Sequence, residues 1–167
     1  IRDLVRSRGL GDVYKRQDYL FAPVGGGGLL SGTAIATKGL YPNTKVIAVE
    51  PKNAADAYRS FKEGKIHPSV NPNTIADGLR TCLGANTFKI IREKVDDIIT
   101  VSEEAIIDAM EFLWQRMKLV VEPSGAVSLA GVMSQQIDLS EKRLGIIISG
   151  GNIDLTAFFQ LFREKIG

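Results

Sequence analysis

The chain has 167 residues, 44% hydrophobic and 24% charged, with a net charge of +2. This length suits one domain of about 100–200 residues with a real core, and the composition excludes wholesale disorder. So small a charge gives no footing for nucleic acid or an anionic membrane, and no apolar run reaches the roughly 20 residues that span a bilayer. The single cysteine, Cys82, cannot form an internal disulfide, and no apolar h-region follows Arg2, Arg6 and Arg8. Both features fit a cytoplasmic protein.

The first 17 residues, IRDLVRSRGLGDVYKRQ, have no initiating Met and no clean period, and the character changes abruptly at Asp18. They resemble a translated sequencing-adapter tail, the alternative being a native basic helix or linker. We expect residues 1–17 to be non-native and begin the fold at Asp18.

Residues 18–24 (DYLFAPV) form a short apolar run of the kind buried on both faces of a sheet. After four glycines, residues 29–40 read as a helix, apolar or small throughout, that suits close packing on a sheet. KVIAVEP (45–51) is a second strand and AADAYRSFKEG (54–64) a short helix closed by glycine. Residues 67–74, rich in Pro and Asn, are loop. Thr74, Ile75, Ala76, Asp77 and Gly78 follow, then a helical stretch around 88–94 and a strand at 97–101 (DIITV).

Ser102, with Glu103 and Glu104 behind it, starts a long amphipathic helix on which Ile106, Ile107, Met110, Leu113, Trp114 and Met117 recur at helical spacing. Trp114 and the methionines are therefore expected in the core. Residues 124–136 form a small-residue helix, 143–149 (RLGIIIS) a buried strand and 154–166 a closing helix. The alternation predicts an α/β fold with a mostly parallel sheet and helices on both faces. Neither an internal repeat nor a second domain boundary is evident.

Gly25, Gly26, Gly27 and Gly28 stand between the first strand and its helix, on the edge where open α/β sheets bind ligands. Successive bare N–H groups at a helix start form a nest that suits a phosphate. A P-loop is excluded because Leu29 and Leu30, not Lys and Ser/Thr, follow the glycines. The dinucleotide fingerprint is half met: Gly26 and Gly28 fit, Ser31 replaces the third glycine, and Glu50 ends the next strand where a ribose-binding acid could lie. A tight turn with close helix packing would also explain the run.

Ser149, Gly150, Gly151 and Asn152 end another strand and should open on the same edge. A serine hydroxyl can bond a ring nitrogen, and paired glycines leave room for a flat ligand. Phosphate nest and ring-nitrogen partner together describe pyridoxal phosphate.

VGGGGLLSG (24–32), TIADG (74–78), RMKLVVEPSGA (116–126) and SGGN (149–152), in this order, resemble the C-terminal half of the serine racemase and threonine dehydratase family, the fold-type II pyridoxal phosphate enzymes. The resemblance runs from Asp18 essentially to Gly167. It implies that Gly25, Gly26, Gly27 and Gly28, with the backbone of Leu29, hold the cofactor phosphate and that Ser149 faces the pyridine nitrogen. A neutral serine there would make the ring a shallower electron sink than a carboxylate would, which suits elimination of a β-hydroxyl. It further implies a divalent cation such as Mg²⁺ on Glu50, the Ala54 carbonyl and Asp56, a hard-oxygen set, with Asp18 and Asn86 in an outer shell. Lys118 and Asn152 match positions that contact a nucleotide activator in serine racemases.

The family bonds its cofactor through a lysine in a SerPheLys-type motif well before the glycine loop, and no lysine here has that context. The chain is thus expected to carry the cofactor cup of a threonine/serine ammonia-lyase or serine racemase, homodimeric as a whole protein, without its nucleophile, and to be inactive alone. Two rivals stand beside this: a non-catalytic nucleotide-binding module, and a dead relative acting as a regulatory subunit. His67, in its Pro-rich loop, is expected at the surface rather than as an acid or base, and nothing beside Cys82 suggests an activated thiolate.

Overall fold

Four apolar runs spend their two-residue alternation on both faces of one sheet. In the computed structural model, which describes residues 17–154 together with 156, 159, 160, 162 and 163, strands β1 (Tyr19–Pro23), β2 (Lys45–Pro51), β3 (Asp97–Val101) and β4 (Leu144–Ile146) pair in the order β3-β2-β1-β4. Every pairing is parallel, with Phe21 beside Ile47 and Ile146, and Ile47 beside Asp97. Residues 1–16 of the segment expected to be non-native lie outside the described residues, and its last residue, Gln17, is described, its carbonyl accepting the Thr44 hydroxyl at 2.8 Å.

Helices α1 (Gly28–Leu40), α2 (Asp56–Glu63) and α3 (Ala85–Lys94) cover one face. There Leu30, Ala34, Ala57 and Ile91 pack on Ala22, Val46, Ala48 and Ile98. Helices α4 (Glu103–Met117) and α5 (Pro123–Met133) cover the other, where Ile106, Met110, Leu113 and Val127 pack on Phe21, Ile47, Val49 and Ile99. Each such large side chain, fully buried, contributes about 1.5–3 kcal/mol against exposure. Gly131 lets α5 lie directly on the sheet, since a Cβ there would come within 2.6 Å of Val49.

Strand order reverses at β1. The chain steps outward from β1 to β2 and β3, then returns through α4 and α5 to place β4 on the far side of β1. The carboxyl ends of β1 and β4 therefore flank a topological switch point, where helices leave on opposite faces and a crevice opens.

Several boundaries and environments differ from expectation. The helix expected over 54–64 is a 3-10 turn (Lys52–Ala54) followed by α2, because Glu50 caps the later start. The last strand is only Leu144–Ile146, leaving residues 147–152 without regular structure. On α1 the sheet side is Leu30, Ala34 and Thr37, whereas at Gly32 and Gly39 an added Cβ would meet nothing, so those glycines do not serve sheet packing. Of the methionines only Met110 is in the core. Met117 and Met133 end their helices at the surface, 54% and 42% exposed, and Trp114 is half-buried. The closing helix expected over 154–166 is only partly among the described residues, where 156, 159, 160, 162 and 163 are helical. Ser102 caps α4 as expected, accepting the Ala105 N–H at 3.2 Å.

Candidate functional site

The glycine run makes the turn from β1 into α1. Gly27 is left-handed (φ 84°), and its N-cap carbonyl accepts the first helical bond, from Ser31. The amides of Gly28, Leu29 and Leu30 thus precede the helical ladder, with the positive end of the helix dipole behind them.

The four glycines serve different ends. At Gly25 a Cβ would press on Leu79 Cα and the Gly78 carbonyl at 3.2–3.3 Å, and at Gly27 it would lie 2.9 Å from Ile91, Leu83 and Thr87. Those two are required by the fold. At Gly26 the nearest such contact is 3.8 Å away, and at Gly28 a Cβ would meet no protein atom within 4 Å. Gly28 and Leu29 are exposed. A side chain at Gly28 would project into open space beside the free amides, the arrangement expected of a cradle for a phosphate.

Two further loops close on this cup. Residues 77–79 form a 3-10 turn whose Gly78 N–H donates to Asp77 Oδ1 at 2.9 Å and to Ser124 Oγ at 3.1 Å. A Cβ on Gly125 would in turn come within 2.7 Å of the Gly150 carbonyl. Residues 25, 78, 124–125 and 150 are therefore successive contacts around one mouth. Ile147 still donates to Phe21 at 2.9 Å, and two residues later Ser149 stands exposed on the β4 side of that mouth. The glycine run and Ser149 thus follow neighbouring parallel strands at the switch point, where bare backbone and an exposed hydroxyl suit a flat phosphorylated ring.

Glu50, at the end of β2, and Ala54 and Asp56, just after it, are buried at 0%, 5% and 1% exposure. Glu50 Oε1 accepts the Ala57 N–H at 2.9 Å and Oε2 the Tyr58 N–H at 2.8 Å, capping α2 and leaving each oxygen a further lone pair. Burial pushes its pKa up to about 8 against the pull of those two donors. Both oxygens of Asp56 are buried without a hydrogen-bond partner among the described residues. Burial raises its pKa too, and the Ser69 hydroxyl opposes the rise without meeting hydrogen-bond geometry. A cavity of about 330 Å³ adjoins, lined by Lys52, Asn53, Ala54, Asp56, Arg59 and Ser69. Among the described residues no cluster of three His, Cys, Asp or Glu exists. Two carboxylates and a carbonyl fit a hard cation that keeps part of its water.

The outer shell expected for that cation does not assemble around Asp18. Asp18 accepts the Arg143 N–H at 2.9 Å at the amino end of the sheet, level with Thr44, whereas Glu50 lies six residues along β2, about 20 Å away. Asn86 is in the first turn of α3, next to Thr87, which holds the glycine loop. A cavity of about 550 Å³ also opens at the amino end, beside Asp18, Lys45 and Arg143. Ligands of open parallel sheets bind at the other end.

Three residues that hold the site carried no signal of that role in the sequence. Thr87 Oγ lies 2.9 Å from the Gly26 carbonyl. Glu103, read only as part of a helix start, accepts from Ile75 N at 2.8 Å, Thr74 Oγ at 3.1 Å and Asn53 Nδ2 at 3.4 Å, tying the 74–79 loop to the turn after β2. Glu122 accepts the Asn152 N–H at 2.9 Å. Lys118 is a left-handed helix end (φ 58°) whose Nζ donates to the Gln115 carbonyl at 2.8 Å, and Asn152 is exposed. His67 is half-buried, its ring 2.8 Å from Glu63, and Cys82 is exposed beside the glycine loop. Among the described residues no helix is long and apolar enough to cross a membrane.

The sequence model of one family, described as pyridoxal-phosphate dependent enzyme, matches residues 7–150. Serine racemase of Dictyostelium discoideum is 50% identical over 148 residues, covering 86% of this chain and 46% of that protein. L-threo-3-hydroxyaspartate ammonia-lyase of Saccharomyces cerevisiae is 48% identical over 149 residues, covering 89% and 46%. The crystal structure of serine racemase from Dictyostelium discoideum superposes with a TM-score of 0.79 at 50% identity, over 84% of this chain and 45% of that one. A crystal structure of threonine deaminase superposes with a TM-score of 0.82 at 48% identity, over 87% and 53%. The chain spans about half the length of the curated relatives it matches. With that family match over most of its length and a glycine cup at the switch point of its sheet, the chain belongs to the pyridoxal-phosphate dependent enzyme family.

Proposed function

We propose that this chain holds the phosphate and ring nitrogen of pyridoxal phosphate within an enzyme that acts on small hydroxy amino acids. The protein either removes water and ammonia from L-threonine, L-serine or 3-hydroxyaspartate to leave a 2-oxo acid, or inverts serine. The observation that carries the reading is the open space at Gly28 beside the helix-start amides that precede the α1 ladder, at the switch point that β4 and the Ser149 segment also border. The names of the relatives support the substrate class.

Bound pyridoxal phosphate supplies an electron sink that acidifies the α-hydrogen of an amino acid. The residues of this chain act around it. Backbone N–H groups of Gly25, Gly26, Gly27, Gly28 and Leu29 donate to the phosphate, and the absence of side chains admits it to the amides. The Ser149 hydroxyl would donate to the pyridine nitrogen and leave it uncharged, which would make the ring a shallower electron sink suited to elimination. Glu50, the Ala54 carbonyl and Asp56 hold Mg²⁺ or a similar ion, which neutralises two buried carboxylates and stiffens the loop after β2. The lysine that bonds the cofactor comes from sequence other than residues 18–167, so the chain alone binds cofactor without turnover. The whole protein works as a homodimer in the cytoplasm, and the site takes no nucleic acid.

Titration of the chain with pyridoxal phosphate, followed by absorbance and competed with inorganic phosphate, tests this. Saturable, phosphate-competed binding is expected. Affinity for NAD or ATP without affinity for pyridoxal phosphate would replace it with the nucleotide-binding reading. The protein extended through the native upstream reading frame should then release 2-oxo acid or D-serine from the three substrates.

A further inference from the structure

Ser149 sits on a segment with no regular structure of its own. β4 ends at Ile146, so residues 148–152 need another hold if the hydroxyl is to keep one position. The hold comes from Glu122, the residue before α5. Its backbone N–H donates to the Gly150 carbonyl at 3.2 Å, and its side-chain Oε2 accepts the Asn152 N–H at 2.9 Å. The segment from 150 to 152 is thereby bonded at both ends to one residue.

Sterics agree with the hydrogen bonds. A Cβ on Gly150 would collide with the Glu122 carboxylate, and one on Gly151 would lie 2.8 Å from the Val120 carbonyl. On the other side Gly125 has no space for a Cβ against Gly150. The carboxylate thus fills the place a side chain at 150 would take, and the three glycines are the counterpart of this clamp.

We propose that Glu122 is a positioning residue that sets the Ser149 hydroxyl against the cofactor ring, without itself serving the phosphate. The inference rests on the cofactor reading given above. A charge-assisted bond from a carboxylate to a backbone N–H is among the stronger ones, so its loss should free the segment. The phosphate cup is built from a different loop and should not feel the change.

Three measurements on the full chain test this, with Glu122→Ala and Glu122→Gln. Hydrogen exchange at the Asn152 amide, read without any ligand, should speed up by about tenfold or more in Glu122→Ala. Affinity for pyridoxal phosphate should fall about tenfold, while affinity for inorganic phosphate stays within about twofold. Glu122→Gln, which retains an acceptor oxygen, should recover most of both effects. Should Glu122→Ala fold poorly, Gly150→Ala displaces the same carboxylate and should give the same split between the two ligands. Unchanged Asn152 exchange, or equal loss of both ligands, overturns the clamp while leaving the cofactor reading standing. A wild-type chain that binds no pyridoxal phosphate overturns the cofactor reading, and this role falls with it.

Discussion

The N–H of Gly78 donates to the Oγ of Ser124 at 3.1 Å across 46 residues of sequence, joining the turn after residue 76 to the start of α5. Ser124 is 3% exposed. Through this bond the glycine cup, which touches Gly78 at Gly25, is linked to the helix that also backs the Ser149 segment. Ser124→Ala should cost about 0.5–1.5 kcal/mol, toward the low end because Gly78 N–H keeps Asp77 Oδ1 as a second acceptor. Thermal denaturation checks the cost, and pyridoxal phosphate affinity should fall with it.

Gly27 and Gly28 should respond in opposite senses. Gly28→Ala places a methyl in open space on a helical backbone, so it should leave stability unchanged or raise it by up to about 1 kcal/mol. The same methyl fills the cradle, and phosphate binding should be lost. Gly27→Ala meets Ile91, Leu83 and Thr87 at 2.9 Å and adds the cost of a left-handed residue, about 1–2 kcal/mol. Melting curves with and without phosphate separate the two. Loss of stability in Gly28→Ala with phosphate binding intact would refute the cradle.

Ser149→Ala should not change the melting temperature, since the side chain is exposed and such changes stay within about 0.5 kcal/mol. It should shift the absorbance of bound pyridoxal phosphate and weaken it, while leaving inorganic phosphate unaffected. An unchanged spectrum would remove Ser149 from the ring.

The carboxylates after β2 make stability depend on pH in a defined direction. Glu50 has its pKa pushed up to about 8, and burial raises that of Asp56 as well. A folded-state value above the unfolded one means the contribution is intact below the ordinary carboxylate range and is lost as pH climbs to about 8. Asp18, Glu63, Glu104 and Asp138 are shifted downward by their hydrogen bonds and act only below that range. The cation-free chain should therefore lose stability from about pH 5 to about pH 8, and Mg²⁺ should restore it most at the upper end, where the carboxylates have lost their protons and are free to bind it. Glu50→Gln should flatten the profile and abolish the Mg²⁺ effect. Melts in chelator and in Mg²⁺ across that range decide the matter.

Much of this was legible in the residues themselves. KVIAVEP and DIITV had to be buried strands because a run apolar on both faces leaves no solvent side, and Ser102 had to start a helix because its hydroxyl replaces a missing helical acceptor. The glycine run announced bare backbone at a strand end. What it could not announce was which glycines the fold consumes. Gly25 and Gly27 are crowded by Leu79 and Ile91, residues more than 50 positions away, and only their arrival leaves Gly26 and Gly28 as the ones with space. The same holds for Met117, whose helical spacing implied a core that ends one turn earlier, at Leu113. Glu103 looked like an ordinary helix-start acid and Glu122 like one residue of the RMKLVVEPSGA stretch, and their partners Ile75 and Asn152 are set by how the chain crosses the sheet. Local chemistry thus determined the elements and pointed to a phosphate at the glycines, because periodicity and bare N–H groups act over a few residues. The strand order β3-β2-β1-β4 decided that the glycine run and Ser149 follow neighbouring strands, because parallel pairing joins strands through crossovers that no local pattern specifies.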